Sequence, residues 1–214
     1  MPDHTDLMVE AYCGIGAISL FAADKAKEII GIESVEDAVA NASENALLNG
    51  KENLSFVCQD AATELKRISQ KRHVDTLVVD PPRSGLDRTM KDAILKAQPQ
   101  NLIYVSCNPS TLGKDLDVLQ KKYAIECVQP FDFFSQTPHV ETAVKLSLKN
   151  KIPNGIDRSS FHSLQTLLLL LFVLSLRSVA CQTMETLKIR TGGIDSQNKI
   201  LMPLDDFQMH EDFL

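Results

Sequence analysis

The sequence has no Trp, and aromatic residues make up only 6% of its 214 residues. With 9 Gly and 5 Cys, it is neither a collagen-like chain nor a disulfide-rich scaffold. A basic excess is also lacking, since 22 Lys and Arg face 28 Asp and Glu, for a formal net charge of −6. Proteins that bind nucleic acid usually carry a basic excess, so composition gives no support to RNA or DNA binding. Hydrophobic residues reach 44%, which excludes disorder and is typical of a globular protein.

No targeting or membrane-spanning segment is evident in the sequence. Residues 1–6 are acidic, unlike a cleavable signal peptide. The longest apolar run, Leu164–Leu176, contains polar residues and is shorter than the ~20 residues that a spanning helix needs. The five cysteines form no Cys-x-x-Cys pair, which excludes a zinc knuckle and a disulfide framework. We therefore predict a soluble, cytoplasmic protein with reduced thiols, no metal site and no membrane partner.

Strands and helices are predicted to alternate between residues 7 and 148. Strands that are apolar along their whole length, such as Thr76–Val79, are typical of a parallel sheet buried on both faces. The last two strands, Ile125–Gln129 and Thr142–Leu148, have no helix between them, which predicts an antiparallel hairpin at one edge. The fold class is α/β, with a Rossmann-like, mostly parallel twisted sheet. The elements predicted before the hairpin are the strands Leu7–Tyr12, Glu28–Glu33, Leu54–Cys58, Val74–Asp80 and Leu102–Ser106, and the helices Ala17–Ala26, Val35–Leu48, Ala61–Gln70, Leu86–Ala97 and Ser110–Lys121.

Residues 151–214 have a different pattern from the rest of the chain. They contain a Pro-Asn-Gly break, the leucine run and a polar end without clear periodicity. We therefore predict one domain over residues 1–150 and an unassigned C-terminal extension over 151–214. The extension includes a short apolar helix at Leu164–Leu176, which we expect to pack on the domain.

A glycine-rich turn, Glu10–Gly16, follows the first predicted strand and opens the first helix. Glycines at this place let the backbone approach a ligand at the carboxyl end of the sheet. Glu33 ends the second strand, where a carboxylate can accept hydrogen bonds from both hydroxyls of a ribose. Asp60 follows the third strand, within reach of an adenine amino group. Ser19 replaces the third glycine of a dinucleotide-binding turn, so a nucleoside without a pyrophosphate fits better than NAD. The alternative is a purely structural turn.

The stretch Asp80-Pro81-Pro82-Arg83 ends the fourth strand, beside the crevice where ligands bind in such sheets. Two prolines stiffen the loop and aim the carboxylate of Asp80 into that crevice. Alternatively, the stretch simply ends a strand. Arg83 is open to two interpretations, a phosphate contact or a solvated side chain.

The stretch Ser106-Cys107-Asn108-Pro109 ends the fifth strand. Asn108 is suited to the N-cap of the next helix and Pro109 to its first position. Cys107 would then precede a helix N-terminus, whose dipole favours the thiolate needed for nucleophilic attack. The alternative is a buried core cysteine, which is what we expect for Cys13, Cys58 and Cys127.

Glu141 stands at the start of the last strand, where it can face the same crevice and accept a proton. His139 precedes it, either as a residue that orients Glu141 or as a surface histidine.

In this order, the stretches Val9–Leu20, Val79–Asp87, Tyr104–Asp115 and His139–Glu141 resemble the RNA 5-methyluridine methyltransferase family, which uses S-adenosylmethionine. The likeness extends over Asp6–Asn150. It is greatest to the bacterial 23S rRNA (uracil-5-)-methyltransferases, and a tRNA-directed member is an alternative.

This resemblance implies a class I S-adenosylmethionine-dependent methyltransferase fold and an RNA partner, 23S rRNA. It implies that Cys107 attacks C6 of uracil, that Glu141 removes the C5 proton, and that Asp80 bonds the uracil edge. The target base must leave any helical stack to reach the nucleophile. The residues that the resemblance assigns to the cofactor are Tyr12, Gly14, Gly16, Glu33, Asp60 and Asp80.

In the family, this domain follows an N-terminal RNA-binding part, so we expect the sequence to be an N-terminally truncated catalytic domain. The missing part would account for the acidic charge. One alternative is a folded, non-catalytic fragment that still binds cofactor. Another is an amino-methyltransferase for adenine or glutamine, but such an enzyme has an aromatic residue where Arg83 stands and no need for Cys107.

Overall fold

A computed structural model describes residues 5–131 and 140–149. Strands and helices alternate along them, with a 3₁₀ turn at Ala23–Lys25 after the first helix. The strands are β1 (Thr5–Ala11), β2 (Ala26–Glu33), β3 (Leu54–Cys58), β4 (Thr76–Val79), β5 (Asn101–Ser106), β6 (Tyr123–Phe131) and β7 (Glu141–Leu148). The helices are α1 (Ala17–Ala22), α2 (Glu36–Leu48), α3 (Ala61–Lys71), α4 (Arg88–Ala97) and α5 (Pro109–Leu119).

The strands form one sheet in the order β3-β2-β1-β4-β5-β7-β6. The pairs from β3 to β5 are parallel, whereas β7 pairs antiparallel with both β5 and β6. The predicted α/β fold with an antiparallel edge hairpin is thus confirmed. The strand order reverses direction between β1 and β4, and ligands bind at such a switch point in open α/β sheets.

The hydrophobic core lies on both faces of the sheet. On one face, the buried side chains of α3, α4 and α5 pack against the strands, including Leu65, Ile94 and Leu119. On the other face, Ile18 of α1 packs with Met8 and its strand neighbours. Covering both faces requires apolar residues at successive strand positions, and all four residues of β4 are buried.

Helix α1 ends at Ala22, four residues earlier than predicted. Its alanines favour a longer helix, but the side-chain amide of Asn53 donates to the carbonyls of Ala23 (2.7 Å) and Ala26 (2.9 Å). In a longer helix, these carbonyls would accept from N–H groups of the next helical turn. Because Asn53, from a distant loop, donates to them instead, the helix can end and β2 can begin at Ala26.

Helices α4 and α5 begin at capped positions. Asp87 accepts from the Met90 N–H over 2.6 Å, so α4 begins at Arg88 rather than at the predicted Leu86. Asn108 caps α5, with Pro109 as its first residue, as predicted.

Among residues 5–131 and 140–149, no helix combines the length and apolar character that a membrane crossing requires. The predicted apolar helix Leu164–Leu176, the extension over 151–214 and His139 lie outside the described residues.

Candidate functional site

Six predicted site positions lie together at the end of the sheet where the parallel strands β1 to β5 terminate. Strand β7 begins at this same end because it runs in the opposite direction. Ser106 of β5 pairs with Thr142 of β7, and the two strands are antiparallel. Cys107, which follows Ser106, therefore lies beside Glu141, which precedes Thr142. The positions brought to this end are Tyr12, Glu33, Asp60, Asp80, Cys107 and Glu141.

The turn after β1 has a left-handed backbone that only small residues adopt easily. Gly14 has a φ of 52° and Gly16 a φ of 79°, and even Tyr12 has a φ of 64°. A Cβ on Gly16 would lie 2.7 Å from the Phe56 ring, whereas a Cβ on Gly14 would project into space that is open for 4 Å. The turn therefore packs tightly on the β3 side and leaves an open cradle at Gly14.

Glu33 holds this turn in place. Its carboxylate accepts from the Gly14 N–H (3.1 Å), from the N–H groups of Ser34 (2.7 Å) and Val35 (3.1 Å), and from the Ser34 hydroxyl (3.1 Å). Only one of these donors uses Oε2, so this oxygen retains accepting capacity toward the crevice. A ribose hydroxyl is a suitable donor for it.

Asp60 is the N-cap of α3. One of its oxygens accepts from the Thr63 N–H (2.8 Å) and hydroxyl (2.7 Å), and these hydrogen bonds lower the pKa of the carboxyl. The other oxygen accepts from no donor among the described residues. Asp60 therefore keeps its charge and a free acceptor one strand away from Glu33. The open cradle and these two carboxylates fit a nucleoside cofactor.

The thiol of Cys107 does not have the depressed pKa predicted from its place before α5. Its pKa is raised by burial and by the charges of Glu141 and Asp80, while the charge of Arg83 opposes them. The N-cap prediction itself is confirmed, because Asn108 accepts from the Ser110 N–H over 3.1 Å. Desolvation and two nearby carboxylates outweigh the helix dipole, whose effect is small and confined to the first turn.

Glu141 has the properties of a proton acceptor. Burial raises the pKa of its carboxyl, and the positive charge of Arg83 lowers it in part. A carboxylate with a raised pKa is a stronger base near neutral pH. Arg83 is exposed, yet its charge acts on both Cys107 and Glu141, an effect that is neither of the two interpretations offered from the sequence.

These charges predict opposite effects on thiol reactivity. Replacing Glu141 by Gln removes a negative charge that faces Cys107, so its pKa falls and alkylation by iodoacetamide at pH 8 becomes severalfold faster. Replacing Arg83 by Gln removes the opposing positive charge and slows the reaction. Peptide mass spectrometry measures both rates, with the exposed Cys58 as internal reference. Equal rates in the two variants would contradict this account.

The other cysteines follow the expectation of core burial only in part. Cys13 is buried, and burial raises the pKa of its thiol. Cys58 is exposed, which corrects the prediction, because β3 is an edge strand and Cys58 is its last residue. Cys127 is half-buried on β6, the other edge.

Sequence reasoning missed a buried carboxyl beneath the glycine turn. Glu10 of β1 is only 1% exposed and accepts a hydrogen bond from the hydroxyl of Ser19 on α1. Burial raises the pKa of Glu10 to about 8. An acidic residue inside an otherwise apolar strand, with Ser19 in place of a glycine, is the pattern that indicates such a pair.

The model of the tRNA (uracil-5-)-methyltransferase family matches residues 2–149. The chain belongs to this family. The match includes both Cys107 and Glu141, and it confirms the family that the sequence resembles.

Two curated proteins similar to this chain are named uncharacterized RNA methyltransferases. The protein of Listeria monocytogenes serotype 4b is 43% identical over 69% of this chain and 32% of its own length. The protein of Halalkalibacterium halodurans is 44% identical over 68% of this chain and 32% of its own length. The chain thus spans about a third of the length of these relatives.

Solved structures agree with the described fold. The Pyrococcus abyssi tRNA (uracil-54, C5)-methyltransferase, in complex with S-adenosyl-L-homocysteine, has a TM-score of 0.58 and 30% identity, over 66% of this chain and 34% of its own. An rRNA methylase from Streptococcus thermophilus has a TM-score of 0.55 at 15% identity, over 68% of this chain and 88% of its own, which shows a common fold alone. Family and fold together support the prediction of S-adenosylmethionine as the cofactor.

Proposed function

We propose that this family domain methylates C5 of uracil in RNA, with S-adenosylmethionine as methyl donor and 23S rRNA as the target. The observation that supports this best is the pairing of Ser106 with Thr142, which sets a cysteine beside a glutamate at the edge where the cofactor cradle opens. RNA in the cytoplasm is the partner in this proposal.

Cys107 is the proposed nucleophile. Its thiolate adds to C6 of uracil, and the electron pair of the C5–C6 bond moves onto C5 and the adjoining carbonyl, which makes C5 nucleophilic. Asp80 bonds the uracil edge and so fixes the ring over the thiol. The pKa of the thiol is raised, which disfavours the thiolate. The positive charge of Arg83 lowers this pKa in part and so helps the thiol to ionise when uracil binds.

When bound, S-adenosylmethionine would supply an electrophilic methyl group: the electron pair at C5 takes the methyl as the methyl–sulfur bond breaks, and S-adenosylhomocysteine is the leaving group. Gly14, Gly16, Glu33 and Asp60, with Tyr12, would hold its nucleoside part against the glycine turn. The barrier to such a displacement depends mainly on aligning C5 with the methyl group, so the rigid glycine turn contributes by positioning the cofactor.

Glu141 is the proposed base for the last step. It takes the remaining proton from C5, the electron pair re-forms the C5–C6 double bond, and the C6–S bond breaks to release Cys107. The raised pKa of the Glu141 carboxyl suits it to take that proton.

A second candidate is a tRNA substrate, favoured by the description of the matching family model and by the name of the Pyrococcus abyssi relative. A third is a folded fragment that binds cofactor without turnover, favoured by the one-third coverage of the curated relatives.

The test uses 23S rRNA and tRNA transcripts that contain 5-fluorouridine, mixed with the full chain and S-adenosylmethionine and run on a denaturing gel. Fluorine at C5 leaves no proton for Glu141 to remove, so a competent enzyme stays bonded to the RNA. We expect a shifted band with rRNA, absent for Cys107→Ala and retained for Cys58→Ala. A band with tRNA alone supports the second candidate. No band with either RNA, despite cofactor binding by calorimetry, supports the third.

A further inference from the structure

A buried carboxylate on α5 connects the loop after β4, residues 80–87, to the helix that follows Cys107. Asp115 is 3% exposed and has donors from three other parts of the fold. Its Oδ2 accepts from the Leu86 N–H (2.8 Å) and the Tyr104 hydroxyl (2.7 Å), and its Oδ1 accepts from the Lys91 ammonium (2.8 Å). These donors belong to the loop after β4, to β5 and to α4, so one side chain bridges four segments.

The same loop is attached to α5 at a second point. The Arg83 carbonyl accepts from the side-chain amide of Asn108 and from the Thr111 hydroxyl, each over 3.2 Å. Residues 80–87 are therefore fixed along the first two turns of α5, near Asn108 by one contact and near Asp115 by the other. Cys107 directly precedes Asn108, so this attachment also fixes the thiol relative to Asp80.

Gly85 shows how tightly the loop is seated on this carboxylate. Its φ is +77°, and a Cβ built on it would lie 2.6 Å from Asp115 Oδ2. Burial and the hydrogen bond to Asp115 raise the pKa of the Tyr104 hydroxyl, so it stays protonated and donates.

We propose that Asp115 is a positioning residue that holds the loop of residues 80–87 against α5 and thereby sets the geometry between Asp80 and Cys107. This inference rests on the proposed function. The carboxylate contacts no reacting atom. It acts through the Leu86 amide and through the helix that begins beside the nucleophile.

The chain offers a matched comparison. Glu64 of α3 is also 3% exposed and also forms an ion pair, with Arg67 three residues further along the same helix. Asp115→Ala and Glu64→Ala each remove one buried, ion-paired carboxylate, so both lower the melting temperature. Only Asp115→Ala frees the loop. Asp115→Asn retains an oxygen that can accept from Leu86 and Tyr104, so it serves as the conservative variant.

Two measurements on the full chain test the proposal at a temperature where every variant is folded. Hydrogen exchange of backbone amides reports on residues 80–87, and a rate of adduct formation with 5-fluorouridine RNA reports on function. For Asp115→Ala we expect faster exchange in this loop and a rate at saturating RNA reduced by up to ~100-fold, since displacements near 1 Å have effects of that size. The KM for RNA and the Kd for cofactor should remain within about twofold, and Asp115→Asn should recover most of the rate.

Unchanged loop exchange in Asp115→Ala overturns the inference, as does a rate loss equal to that of Glu64→Ala. If the wild-type chain forms no adduct, the proposed function fails. The exchange data and the alkylation rate of Cys107 then still decide whether Asp115 positions residues 80–87 relative to Cys107, because neither depends on methyl transfer.

Discussion

Replacing Glu141 by Gln should leave the protein covalently bonded to ordinary uridine RNA. In the proposed mechanism the amide cannot take the C5 proton, so Cys107 would still add to C6 but elimination would stall. We expect turnover to fall by about 10³-fold, in the middle of the range for general-base removal. The measurement is a denaturing gel with an unmodified transcript and cofactor, on which the variant should give a shifted band that the wild type does not accumulate.

Glu126→Gln is the control for this variant. Glu126 lies on the neighbouring β6 and pairs with Lys145 over 2.8 Å, so the same substitution alters an ion pair on the hairpin. We expect normal turnover from it. Release of RNA at the wild-type rate by Glu141→Gln would show that another group removes the proton.

The second large effect concerns stability and Glu10. The carboxyl has a pKa of about 8 in the folded chain against an ordinary value of 4.5. Between these values the unfolded chain loses the proton and the folded chain keeps it, so stability is full below pH 4.5 and falls as the pH rises through 8. The loss amounts to about 5 kcal/mol at most, since each unit of pKa difference corresponds to about 1.4 kcal/mol.

Glu10→Gln should remove this dependence, because the amide is neutral at every pH and can still accept from Ser19. Urea unfolding at pH 5 and pH 8.5 measures it as a smaller difference in the free energy of unfolding than the wild type shows. Glu28→Gln is a useful contrast, since Arg72 lowers the pKa of Glu28 and the sign of its contribution is opposite. A wild-type stability that is flat over this range would contradict the burial of an uncharged Glu10.

Sequence patterns were sufficient for the sheet and for the place of the candidate site residues where the parallel strands end. Apolar strands and the missing helix before β7 predict the parallel sheet and its reversed edge strand, and parallel strands must end together. The N-cap at Asn108 is likewise a local property. In these cases the physical cause lies within a few residues of its effect.

Properties set by distant contacts were not predictable in this way. The pKa of Cys107 depends on Glu141 and Asp80, which reach it only through folding. Helix α1 ends early because of Asn53, and the role of Asp115 depends on donors from three other segments. Each requires the three-dimensional arrangement.

The reversed direction of β7 also bears on how the protein is made. Synthesis proceeds from the amino end, so β1 to β5 and α5, with Cys107, leave the ribosome before β7 does. Until β7 inserts between β5 and β6, Glu141 does not lie beside Cys107, the proposed nucleophile, and β5 has an unpaired edge. A chain that ends before β7 would thus be prone to aggregate through the unpaired edge of β5. If it can add to uracil, it would also lack Glu141, the proposed base that releases the RNA.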